Sequence, residues 1–134
     1  MADAALFIGW GAPAAGRERH AVELFQESLL FLTKLVEQRR VASVEPFFLE
    51  PHGGGLEGFF LVRGEQRELS SLRTEDDFRR LAVKAQVIVT NFSVIGAITG
   101  KRLNKHMNWF VEAAMQIDGA AGSGERGGRP GPRG

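Results

Sequence analysis

The sequence predicts an α+β fold in which the elements run β-α-β-β-α-β and a last helix follows. Three observations carry this reading. A short apolar run ends among Gly9, Gly11 and Pro13; no glycine or proline then interrupts Arg17 to Arg40; and two extended runs flank the cluster Gly53-Gly54-Gly55. Short apolar runs bounded by glycine and proline are buried strands, while long uninterrupted amphipathic stretches are helices. Two extended runs about a glycine cluster form a hairpin.

The first strand is Ala4 to Trp10, and the loop after it continues to Gly16. Gly9, Gly11 and Gly16 between strand and helix invite a phosphate-loop reading. The nucleotide patterns need a fixed glycine spacing, and one of them a Lys-Ser/Thr pair; neither is present. The glycines therefore read as an exit loop needing positive φ. From Arg17 to Arg40, Ala21, Phe25, Ser28, Leu29, Leu32, Leu35 and Val36 fall on one helical stripe, widened by Leu24 and Phe31. Arg39 and Arg40 suit the C-terminal end of the helix dipole.

Val41 to Leu49 is β-branched and aromatic, hence a strand, and Pro46 confines it to an edge because proline donates nothing to a ladder. In the next run Leu56, Gly58, Phe60 and Val62 alternate with Glu57, Phe59, Leu61 and Arg63, so both faces carry large apolar groups. A strand apolar on both sides needs cover on both: helices on one face, a second sheet or subunit on the other. Thr74 reads as an N-cap followed by Glu75, Asp76 and Asp77, opening a helix over about 74–90 on Phe78, Leu81, Ala82, Ala85, Ile88 and Val89. Val87 to Val89 also has strand propensity, in conflict with that period. Phe92 to Thr99 is the last strand, Gly100 breaks the chain, and Lys101 to Gln116 forms the last helix. The domain is thus expected over 1–117. Residues 118–134, rich in glycine, arginine and proline, are expected to be a disordered tail.

Composition excludes several classes. With 17 basic and 16 acidic residues the net charge is +1, leaving no field to steer nucleic acid or an anionic membrane. The absence of cysteine removes disulfides, thiolate metal sites and cysteine nucleophiles, and suits a cytoplasmic protein. No window approaches the roughly 18 apolar residues of a membrane span. No cofactor is expected.

Splitting a βαβ unit around a hairpin gives a ferredoxin-like arrangement, a four-stranded antiparallel sheet with helices on one face. The strand ending at Trp10, the helix from Arg17, the hairpin at Gly53-Gly54-Gly55 and the strand Phe92 to Thr99 resemble the dimeric α/β-barrel superfamily. Antibiotic-biosynthesis monooxygenases, muconolactone isomerase-like enzymes and YCII-like proteins belong to that superfamily. The tract from Phe59 through Arg63-Gly64-Glu65 to Gly96 is also similar to a small uncharacterised bacterial family within it. The resemblance implies a homodimer joined through the sheet face and a cavity for small organic molecules, often without a cofactor. The His-Asp pair of YCII-like proteins has no counterpart between Ala4 and Gly16.

The expected function is binding of a small hydrophobic molecule between the sheet and the first two helices. Trp10, Phe47, Phe59 and Phe92 are the candidate walls, with Arg63 and His52 as candidate polar contacts. The alternative is a non-catalytic dimerisation or accessory module whose core is filled. Arg63, on an apolar strand face, needs a carboxylate from its own chain, a dimer mate or a ligand. His52 beside Glu50 could make a general base, although a hairpin tip is usually exposed surface. His20, Glu23 and Glu27 share a helical face as a metal set would, and as any solvated face does. Lys101, Arg102, Lys105 and His106 form a small basic cluster, too small for a nucleic-acid footprint. A single Arg-Gly-Gly element at residues 126–128 falls far short of an RNA-binding tail.

Overall fold

A computed structural model describes residues 2–126 of the chain. It divides into two compact units, Met1–Gly100 and the segment from Lys101 onward. The first unit holds β1 (Ala4–Trp10), α1 (Glu18–Glu37), β2 (Ser43–Phe48), β3 (Gly58–Gly64), α2 (Gln66–Thr74), α3 (Asp76–Ile88) and β4 (Ser93–Ile98). The second holds α4, Lys101–Arg126.

The four strands form one open sheet in the order β2-β3-β1-β4, and every neighbouring pair is antiparallel. Pro46 does lie on an edge strand, where its missing N–H breaks no inner ladder. Helices α1, α2 and α3 pack on one face. There Leu6 and Ile8 of β1 and Phe60 and Val62 of β3 meet Leu32 and Leu35 of α1, Leu69 and Leu72 of α2, and Phe78 of α3. A smaller cluster joins Leu24 of α1 to Ala85 and Ile88 of α3.

Helix α1 ends in a Schellman motif: the Arg40 N–H donates to the Leu35 carbonyl and the Arg39 N–H to that of Val36, each at 2.9 Å. Arg39 occupies the left-handed position of this turn, at φ 60°, where glycine is the usual choice. Arg40 then reaches across to the α2–α3 corner. Its guanidinium forks onto the Glu75 carboxylate, and its Nε–H donates to Glu68 Oε1 at 2.9 Å. Those charge-assisted bonds hold the Glu75 carboxyl below its usual range and push the Arg40 guanidinium up.

Two local expectations are corrected. Thr74 is the last residue of α2, and its hydroxyl donates back to the Ser71 carbonyl at 2.7 Å; Glu75, extended at ψ 143°, separates α2 from α3. The expected positive φ in the exit loop occurs only at Gly16. Gly9 and Gly11 are there for space: a Cβ on Gly9 would lie 2.6 Å from the Phe7 ring, and one on Gly11 2.6 Å from the Gly55 carbonyl oxygen.

At Val87 to Val89 both signals find a place. The helix runs to Ile88, and Val89 then bridges Pro13 while the Gly11 N–H donates to the Thr90 carbonyl and the Thr90 N–H to that of Ala12. Helix α4 continues past Gln116 to Arg126, and the rest of the expected tail lies outside the described residues. Within α4, the Lys105 ammonium sits 5.4 Å from the centre of the Trp109 ring one turn on.

Candidate functional site

The helix-covered face of the sheet holds a cavity of about 470 Å³. Its floor is β1 and β3, and its walls are α1 and α3. Along α1, Glu18, Ala21, Val22, Phe25, Ser28 and Leu32 line it, a stripe at the three- and four-residue spacing of one helical face. Phe78, Leu81, Ala82 and Ala85 do the same from α3. Three of these lining positions, Ala21, Ala82 and Ala85, carry only a methyl group.

One end of the cavity is aromatic. The Trp10 ring centre lies 5.9 Å from Phe25, 6.1 Å from Phe48 and 5.1 Å from Phe60, and Phe25 lies 4.8 Å from Phe48. The polar side chains on the lining are the carboxylates Glu18 and Glu57 and the Ser28 hydroxyl. Glu57 reaches this face through a bulge. Its N–H donates to the Trp10 carbonyl at 2.8 Å, while Trp10 is also the register partner of Gly58. Two residues then oppose one, and such a bulge re-aims a side chain.

The six residues singled out from the sequence separate into three places. Trp10 and Phe92 line the cavity. Phe47, Phe59 and Arg63 lie on the opposite face of the sheet, because strand neighbours alternate and the register sets Phe47 against Phe59. Phe47 stacks on Phe59 at 4.7 Å, and Phe59 packs against Phe7 at 4.8 Å, a row of three rings across β2, β3 and β1. Arg63 finds a carboxylate of its own chain, Glu45, at 3.8 Å, with both side chains about half exposed. A pair so wet contributes little stability.

His52 staples the turn between β2 and β3. Its Nδ1 accepts from the Gly54 N–H at 3.1 Å, which leaves the proton on Nε2 to be donated to the Leu56 carbonyl at 2.7 Å. Both ring nitrogens are thereby engaged in holding the loop. Of the α1 charges weighed as metal ligands, Glu27 instead accepts from Lys84 at 2.7 Å, tying α1 to α3.

Sequence reasoning missed Phe48, Glu18 and Glu57 as lining residues. Glu18 and Ser28 share the apolar stripe of α1 and were legible from its period. Phe48 and Glu57 were not, since their facing depends on register and on the bulge.

No family model matches the chain, and comparison with curated proteins and with solved structures finds no match. Among the described residues, no helix is long and apolar enough to cross a membrane.

Proposed function

We propose that this chain is a ferredoxin-like unit that binds a small hydrophobic molecule between its sheet and helices α1 and α3. The cavity carries the proposal: at about 470 Å³ it falls within the roughly 300–1,000 Å³ of small-molecule sites. Its lining is mostly aromatic and aliphatic with a few convergent polar groups, the usual composition of such sites. The ferredoxin-like assignment draws support from β3 lying between β1 and β2, which splits the βαβ unit made with α1. The cysteine-free composition supports a cytoplasmic setting.

Affinity follows from ligand size. At about 0.3 kcal/mol per non-hydrogen atom, a ligand of about 20 atoms gains about 6 kcal/mol, a Kd in the tens of micromolar. The test uses Trp10 as reporter in a Trp109→Phe background, titrated with the neutral dye N-phenyl-1-naphthylamine. Saturable quenching in that range is expected. Ala82→Phe, which fills the cavity from α3 without adding a second tryptophan, should abolish it. A linear response, or one unchanged by the filling substitution, would count against the site.

A second reading concerns the sheet face that no helix of the first unit covers and is favoured by the Phe47-Phe59-Phe7 row, with Ile95 53% exposed nearby on β4. Contiguous apolar surface on a sheet marks an interface, and a two-fold pairing of identical faces is the simplest way to cover it. Sedimentation equilibrium at micromolar concentration should give about twice the chain mass; a monomer that stays soluble would refute the pairing.

A further inference from the structure

We infer that the cavity selects an apolar molecule carrying an amine or quaternary ammonium head, a reading that rests on the cavity being a binding site. Two features of the lining point the same way. The first is the group of four rings, Trp10, Phe25, Phe48 and Phe60, whose centres are 4.8 to 6.1 Å apart where they contact one another. Rings this close pack on one another, so what they offer a ligand is the faces left turned to the cavity, which attract a cation through the ring quadrupole, Trp most strongly.

The second is the sign of the charge. Glu18 and Glu57 are the charged side chains on the lining, both exposed at its rim, and no lysine, arginine or histidine joins them among the described residues. Neither carboxylate has an ion-pair or side-chain hydrogen-bond partner among the described residues, whereas Glu27, Glu45, Glu68 and Glu75 all do. A carboxylate-headed ligand entering here would meet two like charges and no compensating cation. An ammonium head would meet two opposite charges on a lining rich in aromatic rings, while its apolar body fills the space between α1 and α3. Ser28 adds a hydroxyl that accepts from an N–H head and is indifferent to a quaternary one.

The test is displacement of bound N-phenyl-1-naphthylamine from the Trp109→Phe protein by three matched probes: octyltrimethylammonium, 1-octanol and octanoate. The ammonium should displace the dye at a concentration about tenfold or more below 1-octanol, with octanoate weakest. The ammonium preference should shrink with added salt, because rim charges are screened. In a Glu18→Gln, Glu57→Gln double variant, whose exposed positions leave the fold intact, ammonium affinity should fall about tenfold while 1-octanol stays unchanged. Equal displacement by all three probes, preference for octanoate, or a preference unaltered in the double variant would overturn the inference and leave the apolar site standing. Failure of the dye itself to bind would overturn the site and this inference together.

Discussion

Phe59 and Phe60 are adjacent on β3 and differ only in which face they join, so truncating each in turn measures the two faces separately. Phe60 is 3% exposed and packs on Trp10 and Phe25 at 5.1 and 5.3 Å. Full burial of a Phe side chain is worth about 1.5–3 kcal/mol, and the void left by truncation adds to that. Phe60→Ala should therefore cost about 3–5 kcal/mol, or about 12–40 °C in Tm for a unit of this size. Phe59 is half-buried, flanked by Phe7 and Phe47 on a face no helix of its unit covers. About half the transfer term plus a lost ring contact gives about 1–3 kcal/mol for Phe59→Ala. Urea denaturation followed by circular dichroism, with the slope unchanged between variants, reads both values. If the uncovered face joins two copies, the Phe59→Ala cost should grow with protein concentration while that of Phe60→Ala should not. Equal costs for the two variants at low concentration would refute the assignment of faces.

Arg39→Gly, relieving a left-handed residue in the Schellman turn of α1, should stabilise the protein by about 0.5–1 kcal/mol; a loss in thermal denaturation would refute the turn geometry. Gly11→Ala should destabilise by about 1–3 kcal/mol, because the new methyl would meet the Gly55 carbonyl oxygen and the Thr90 side chain, and backbone cannot yield as a side-chain tip can; a neutral result would argue against that close approach. For Glu75, the folded carboxyl titrates below the ordinary value of 4.5, so its pairing with Arg40 stabilises above pH about 4.5 and is lost as pH falls through the folded value. The stability gap between wild type and Glu75→Gln, measured by urea denaturation, should accordingly narrow as pH falls below about 4.5; a gap independent of pH would rule the pairing out.

Much of the fold was legible because its signals are local. Glycine and proline punctuation bounded β1, the β2–β3 hairpin and β4 to within a residue or two, and the period of α1 was read directly. Helix α2 was not: Ser70 and Ser71 are weak helix formers, and only Leu69 and Leu72 mark the buried side of its nine residues. Thr74 then looked like the start of a helix when it is the end of one, a confusion arising because a threonine before acids has the composition of a cap whichever helix it closes. At Val87 to Val89, propensity and period disagreed because the segment serves as the last turn of α3 and the start of a bridge to Pro13.

The candidate site was legible only in kind. Composition and alternation pointed to apolar residues on both faces of the sheet; of the four aromatic residues named from the sequence, Trp10 and Phe92 line the cavity and Phe47 and Phe59 lie on the other face. The choice between neighbours was not in the sequence. Phe47-Phe48 and Phe59-Phe60 are each two phenylalanines in a row, so hydrophobicity is blind to which one faces inward. Register settles it, setting Phe47 and Phe59 together on one face and sending Phe48 and Phe60 to the cavity. Because the side-chain period of a strand is two, a slip of one residue would exchange the two sets. The bulge at Glu57 and Gly58 is such a shift built into the chain, and it brings a carboxylate to the rim that plain alternation assigns to the other face. By itself, then, the sequence determined every element but α2, their order and the presence of two apolar faces, since those follow from local propensity and period. Tertiary structure alone decided which rings and which charges share the cavity, since that depends on strand pairing between segments far apart in the chain.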